Sequence, residues 1–328
     1  YKNHPYAYDT NGYINNIKNI NYEDILEEYN NFKKRKKILL SNYYYENMKD
    51  VNNLDSSFSN KSFCNNYIYE KIRTNLYERK LKVHYQDTNQ VIFLIGNKTC
   101  SSNHNDFIIL KLLESYLAFG MSSKLFRIFR EKNGLTYDVG VFNPLRKDSA
   151  PFAIYLSSSS NNCLDTFHHL LNLWDQITSM PLSKDELNLA KIKLNSAISL
   201  SSQTTEEIIN RKIQLIGLDM DPKLDEKLIK NISKIDSKEI LETAQRYLLK
   251  PSLSICGKES SCNQIKKIWY ERYYSSTNSN LSTSIKNDPL LNLTSTELGD
   301  FTDKIWPISS IATRSGGLSI GMLSAVFK

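Results

Sequence analysis

The chain of 328 residues is poor in the groups that build most catalytic centres. Its five histidines, His4, His84, His104, His168 and His169, form no chelating pattern. His168 and His169 are neighbours on a helical stretch, so they point about 100° apart and cannot hold one metal together. The five cysteines are scattered, with no CxxC pair, which excludes a zinc ribbon or a disulfide framework and suits a reducing compartment. Glycine, at 11 residues, supplies no phosphate-cradling loop, and no Ser-His-Asp or Cys-His grouping is suggested. No apolar run reaches the roughly 18 residues of a membrane span. The net charge of +7 is spread along the chain. Its densest run, Lys33 to Lys37, lacks the interleaved aromatics of a single-strand nucleic-acid reader, so no nucleic-acid partner is expected.

What is present is regular patterning. The spacing predicts strands over 80–86 and 90–96, then a helix over 106–119 capped by Asn105. A strand is expected over 151–158 and an amphipathic helix over 164–180. Two capping boxes, Ser183 with Glu186 and Asp236 with Glu239, open further helices. Helices over 205–218 and 222–232, and a last strand over 251–256, complete the pattern. Near the start, a helix from Asn21 to about Lys36 would place Ile25, Leu26 and Tyr29 inward, before a strand over 37–45. This order predicts an α+β fold, a mostly antiparallel sheet with helices packed on one face.

The run Gly120 to Gly140, GMSSKLFRIFREKNGLTYDVG, is the most specific stretch. Ser122 or Ser123 can cap a short helix whose apolar stripe is Leu125, Phe126 and Phe129. Gly134 can end that helix in the left-handed conformation. A strand from Leu135 to Phe142 would then set Leu135, Tyr137, Val139 and Val141 on one face.

GMSSKLF followed by REKNGLTYDV resembles the second, non-zinc module of the M16 (pitrilysin/insulinase-type) metallopeptidases. The GLTYDV wording is most similar to the stromal processing peptidases of that family. The resemblance implies that Arg130 and Tyr137 reach into the active site of the first module. Tyr137 would donate to the scissile carbonyl oxygen as it gains charge, and Arg130 would anchor substrate and orient the tyrosine. It further implies substrate contacts at Gly120, Ser122 and Ser123. The family binds zinc through H-x-x-E-H, a motif missing from this sequence, so zinc is expected only in a catalytic half outside it. The implied partners are a peptide or presequence substrate and an upstream catalytic module or partner subunit. An organelle interior, plastid-type or mitochondrial matrix, follows from the same analogy.

The segment His4 to Gly12 is similar to the HPYG…G stretch that follows the catalytic site in the first module. Residues 1–48 are therefore expected to end a preceding M16 module, 49–66 to be a linker and 67–257 to form the C-terminal-type module. Residues 258–328 read as a polar, poorly ordered tail with a short helix over 263–273. The implied function is the substrate-binding, chamber-closing half of a zinc metallopeptidase, inactive alone. The alternative is a degenerate M16 homologue kept as a structural or interaction subunit.

Overall fold

The computed structural model describes residues 12–34, 80–136 and 138–274. These fall into two units. One holds 12–34 and 204–213, the other the remaining described residues.

In the first unit, α1 (Ile14–Lys18) is a single short helix and α2 (Tyr22–Lys34) a longer one. Asn21 and Asp24 start α2 by exchanging side chain-to-backbone hydrogen bonds at 2.9 and 3.0 Å. The apolar positions of α2 do not face a core, contrary to the periodicity. Ile25 is 59% exposed and Tyr29 53% exposed. Periodicity reveals that a helix is two-faced, not that a partner is at hand. The strand expected over 37–45 and the linker over 49–66 lie outside the described residues.

The second unit is built on a five-stranded sheet. Its strands are β1 (Leu81–Tyr85), β2 (Gln90–Lys98), β3 (Val139–Phe142), β4 (Pro151–Ser159) and β5 (Ser252–Gly257), in the order β1-β5-β2-β4-β3. Only β1 and β5 run parallel; the other three pairings are antiparallel. One face carries Phe93 and Ile95 of β2, Ile154 and Leu156 of β4 and Leu253 and Ile255 of β5, all buried. Side chains two apart share a face, so alternation in the sequence fixes which residues meet the helices.

The helices supply the rest of the core. They are α3 (Asp106–Ala118), α4 (Cys163–Ser179), α5 (Lys184–Leu200), α7 (Leu224–Ile232), α8 (Ser237–Leu248) and α9 (Glu259–Tyr274), whereas α6 (Thr205–Gly217) belongs to the first unit up to Ile213. Phe167 of α4 stacks on Phe93 with ring centroids 5.8 Å apart. Trp174 of the same helix is buried, and its indole N–H donates to the Leu248 carbonyl at 2.9 Å. Both capping boxes form as the sequence indicates.

Asn105 does not cap α3 with its side chain. His104 does part of that work, its Nδ1 accepting the Asp106 N–H at 3.1 Å. The Asp106 carboxylate faces the other way, accepting from Arg246 Nη1 at 2.5 Å and from the Tyr247 hydroxyl at 2.9 Å. The start of α3 is thereby tied to the end of α8, with a negative charge at the helix N-terminus where the dipole favours it.

Nor does the chain leave the module after β5. Helix α9 starts at Glu259, earlier than its sequence pattern indicates, and buries Cys262, Ile265 and Trp269. Tyr85 of β1 donates its hydroxyl to Asn263 Oδ1 at 3.0 Å. The sequence indicates this helix over 263–273, but the polar composition after 257 hid its first turn and its place in the core, because only one of its faces is apolar. The rest of the expected tail, 275–328, lies outside the described residues.

Candidate functional site

After α3 the chain turns at Gly120, whose φ of +74° is a left-handed conformation that glycine adopts without strain. The Ser123 N–H closes this turn on the Gly120 carbonyl at 3.0 Å, and the Ser123 carbonyl accepts the Arg127 N–H at 3.0 Å. Met121 and Ser122 are exposed, whereas Ser123 is buried. The helix start carries no side-chain cap, so the serine cap expected here is replaced by backbone bonding.

The next surprise is the helix itself. Phe126–Lys132 is a π-helix, with i to i+5 hydrogen bonds. Such segments are rare and gather at functional sites. Leu125 and Phe129 are buried, Phe126 is half-buried and Arg130 points to solvent. The guanidinium of Arg130 lies over the Phe126 ring, 5.0 Å from its centroid. That contact fixes a long, flexible side chain through a cation–π attraction of roughly 0.5–1 kcal/mol at an exposed position. Phe129 in turn meets His169 of α4 edge-on at 6.5 Å, which anchors the π-helix to the core.

Gly134 takes φ +59°, the left-handed stop read from the sequence. The strand expected from Leu135 begins only at Val139. The reason is backbone accounting. The N–H groups of Leu135 and Thr136 both donate to the Phe129 carbonyl, at 2.7 and 3.3 Å, and so are unavailable to a ladder. Thr136 is buried and its hydroxyl bridges the backbone of Asp138, donating to the carbonyl at 2.9 Å and accepting from the N–H at 3.2 Å. Tyr137 lies outside the described residues.

Beyond it, β3 passes close over its neighbour. A Cβ on Gly140 would fall 2.6 Å from the Tyr155 hydroxyl, so glycine is what lets this ring lie across the strand. Asp138 is well exposed by surface area, yet partial desolvation of its carboxyl raises its pKa above the ordinary range. Burial first, and then the charge of Asp138, push the Tyr155 phenol up to about 12. It stays protonated, a donor, across the physiological range.

A family model described as "Peptidase M16 inactive domain" matches residues 19–194, more than half of the chain. The chain belongs to the M16 peptidase family. The match covers the inactive, C-terminal type of M16 domain, the type to which the Gly120–Gly140 motif points. A protein named as an uncharacterised zinc protease of Rickettsia felis is 30% identical over 141 residues, 42% of this chain and 33% of that protein. The chain spans about a third to a half of the length of the curated relatives it matches. Among solved structures, a protease from Helicobacter pylori superimposes with a TM-score of 0.59 at 15% identity, over 75% of this chain and 61% of that one. A chain of Complex III2 from Candida albicans gives 0.55 at 12% identity, over 67% and 56%. These two likenesses show a shared fold.

The zinc of the family does not fit the residues described here. Among them, no three His, Cys, Asp or Glu side chains come together to hold a metal ion. His104 is committed to the α3 start and His169 to Phe129. His84 sits in β1 beside Cys256 of β5, where burial, and then Lys82, lower its pKa. No helix among the described residues is long and apolar enough to cross a membrane.

The carboxylate of Glu186, at the start of α5, faces the other side of the π-helix. Its Oε2 accepts the Ser183 N–H at 3.1 Å, and its Oε1 accepts from the Tyr116 hydroxyl at 2.9 Å and Lys124 Nζ at 3.3 Å. Desolvation would raise its pKa, but these three donors outweigh it and the net shift is downward. A depressed folded-state pKa contributes stability above the unfolded value and loses it as pH falls through the folded one. Glu186→Gln is therefore expected to cost about 1 kcal/mol at neutral pH, the typical worth of a cap. In urea titrations the gap between variant and parent should close on acidification, once the parent's own carboxylate is protonated.

Proposed function

We propose that this chain is the substrate-binding half of an M16 zinc metallopeptidase, with the metal and its H-x-x-E-H helix contributed from outside this sequence. The observation that carries the reading is the Arg130 to Tyr137 segment. It holds an exposed guanidinium steadied on Phe126, a π-helix, a glycine stop, and a tyrosine seven residues on at the family spacing. Arg130 presents a planar set of donors that suits the carbonyls or carboxylate of a peptide. Gly120, Ser122 and Ser123 form the turn beside it and are proposed to contact the peptide backbone.

Residues 1–48 are proposed to close a preceding module of the same kind. The exposed apolar face of α2, with Ile25, Tyr29 and Phe32, is the surface that module would cover. The reading as a zinc protease is supported by the names of the sequence relatives. Presequence cleavage, and an organelle interior as its setting, extend the proposal through the likeness of GLTYDV to stromal processing peptidases.

The test is peptide turnover by this chain joined or mixed with its H-x-x-E-H half. Arg130→Ala should raise KM, since anchoring of the bound peptide is lost, while the thermal melt stays that of the parent. Unchanged kinetics in Arg130→Ala would remove the proposed role. A second reading, a structural subunit without activity, takes support from the likeness to a chain of Complex III2. It predicts no turnover in any such mixture.

A further inference from the structure

Behind the π-helix lies a cleft of about 70 Å³ whose walls come from three elements. Tyr116 of α3 forms one wall, Lys124 and Arg127 a second, and Glu186, Leu189, Ala190 and Lys193 of α5 the third. The α5 residues are spaced three and four apart, so they share one face of that helix. Leu189 and Ala190 make an apolar floor, and the exposed hydroxyl of Ser122 stands at the rim.

The charges in this cleft do not balance. Lys124, Arg127 and Lys193 bring three positive charges, and Glu186 a single negative one. Glu186 is already engaged by the Ser183 N–H, the Tyr116 hydroxyl and Lys124. Neither Arg127 nor Lys193 has an ion-pair partner among the described residues, although two other exposed cations, Lys147 and Arg272, are paired with Asp219 and Asp175. Partial burial over the apolar floor, and then the repulsion of Arg127, lower the pKa of Lys193. Two cations held together without an anion are an unfavourable arrangement that a bound oxyanion would reverse.

We infer that the cleft between the π-helix and α5 is a binding site for one small oxyanion, a phosphate or a carboxylate. Arg127 and Lys193 would hold it from opposite walls and the Ser122 hydroxyl would donate from the rim. Charge-assisted hydrogen bonds from a guanidinium and an ammonium supply the affinity. This site is separate from Arg130, which leans on Phe126, and it does not depend on the chain having a protease partner.

Calorimetric titration of the chain with sodium phosphate and with sodium acetate, against sodium chloride at matched ionic strength, tests it. Saturable one-site binding of phosphate or acetate is expected; the tighter of the two identifies the site as one for phosphate or for carboxylate groups. Arg127→Gln and Lys193→Gln should each weaken that binding by about tenfold or more. Both side chains reach solvent, so the variants should melt like the parent. A response indistinguishable from chloride, or binding unchanged in both variants, would overturn the inference. An independent check is the Lys193 titration followed by NMR in anion-free buffer, with Tyr116, Lys124 and Glu186 left intact. Arg127→Gln should shift its midpoint upward, and no shift would show that the two cations are not in contact.

Discussion

Gly96→Ala should lower the stability of the sheet module by about 3 kcal/mol or more, the upper end of the cost of overpacking. An added Cβ would sit 2.2 Å from the Phe152 carbonyl oxygen, 2.5 Å from the Ala153 Cα and 2.6 Å from its Cβ. Two of these atoms are backbone and the third is fixed to it, so no side chain can rotate away. The strand cannot retreat either. β2 is held by β5 on one side and β4 on the other, and Gly96 is paired in both registers. Relief would require breaking ladder hydrogen bonds in the middle of the sheet. For a module of this size the melting temperature should fall by roughly 6–12 °C. Gly134→Ala is the instructive control. It meets nothing within 4 Å but sits at φ +59°, so it should cost only about 1–2 kcal/mol through backbone strain. Equal melts for the two variants would contradict the β2–β4 register.

The second large effect concerns chemistry. Tyr137→Phe should reduce peptide turnover by about 10²–10³-fold, or about 2.7–4 kcal/mol, the usual loss when one oxyanion donor is removed. The decrease should fall on kcat, with KM little changed, because the bond strengthens only as the carbonyl oxygen acquires charge. Arg130→Ala is expected to act mainly on KM, and this split separates a substrate anchor from a transition-state donor. Stability should hardly change in Tyr137→Phe, since a hydroxyl is all that is lost. The segments flanking Tyr137 are firmly tied, Leu135 and Thr136 to the Phe129 carbonyl and Asp138 to the Thr136 hydroxyl. A loss of turnover accompanied by unfolding would point to a packing role instead.

Much of the fold was legible in the residues because it is written in local chemistry. The pairs Ser183/Glu186 and Asp236/Glu239 mark helix starts whatever surrounds them, and Gly134 marks a stop. Alternation in Val91–Ile95 and Phe152–Leu156 identifies the covered face of the sheet. What could not be read depends on partners distant in sequence. The late start of β3 follows from two N–H groups bonding back to Phe129. The cap of α3 is a histidine ring nitrogen because Asp106 is drawn to Arg246 and Tyr247. The π-helix leaves no distinct apolar period in seven residues. The cleft behind it joins Arg127 and Lys193 from separate helices, and neither side chain stands out in its own segment. For the site, the Arg130 to Tyr137 spacing was visible in the sequence, whereas the ring of Phe126 beneath the guanidinium emerged only with the structure.

The most direct measurement compares hydrolysis of a quenched-fluorescent peptide by three preparations at equal concentration and saturating zinc. They are this chain alone, a polypeptide carrying the H-x-x-E-H module alone, and the two combined. Turnover in the combination alone, abolished by Tyr137→Phe with Arg130→Ala, is the predicted result. Equal turnover by the H-x-x-E-H module with and without this chain would contradict the account.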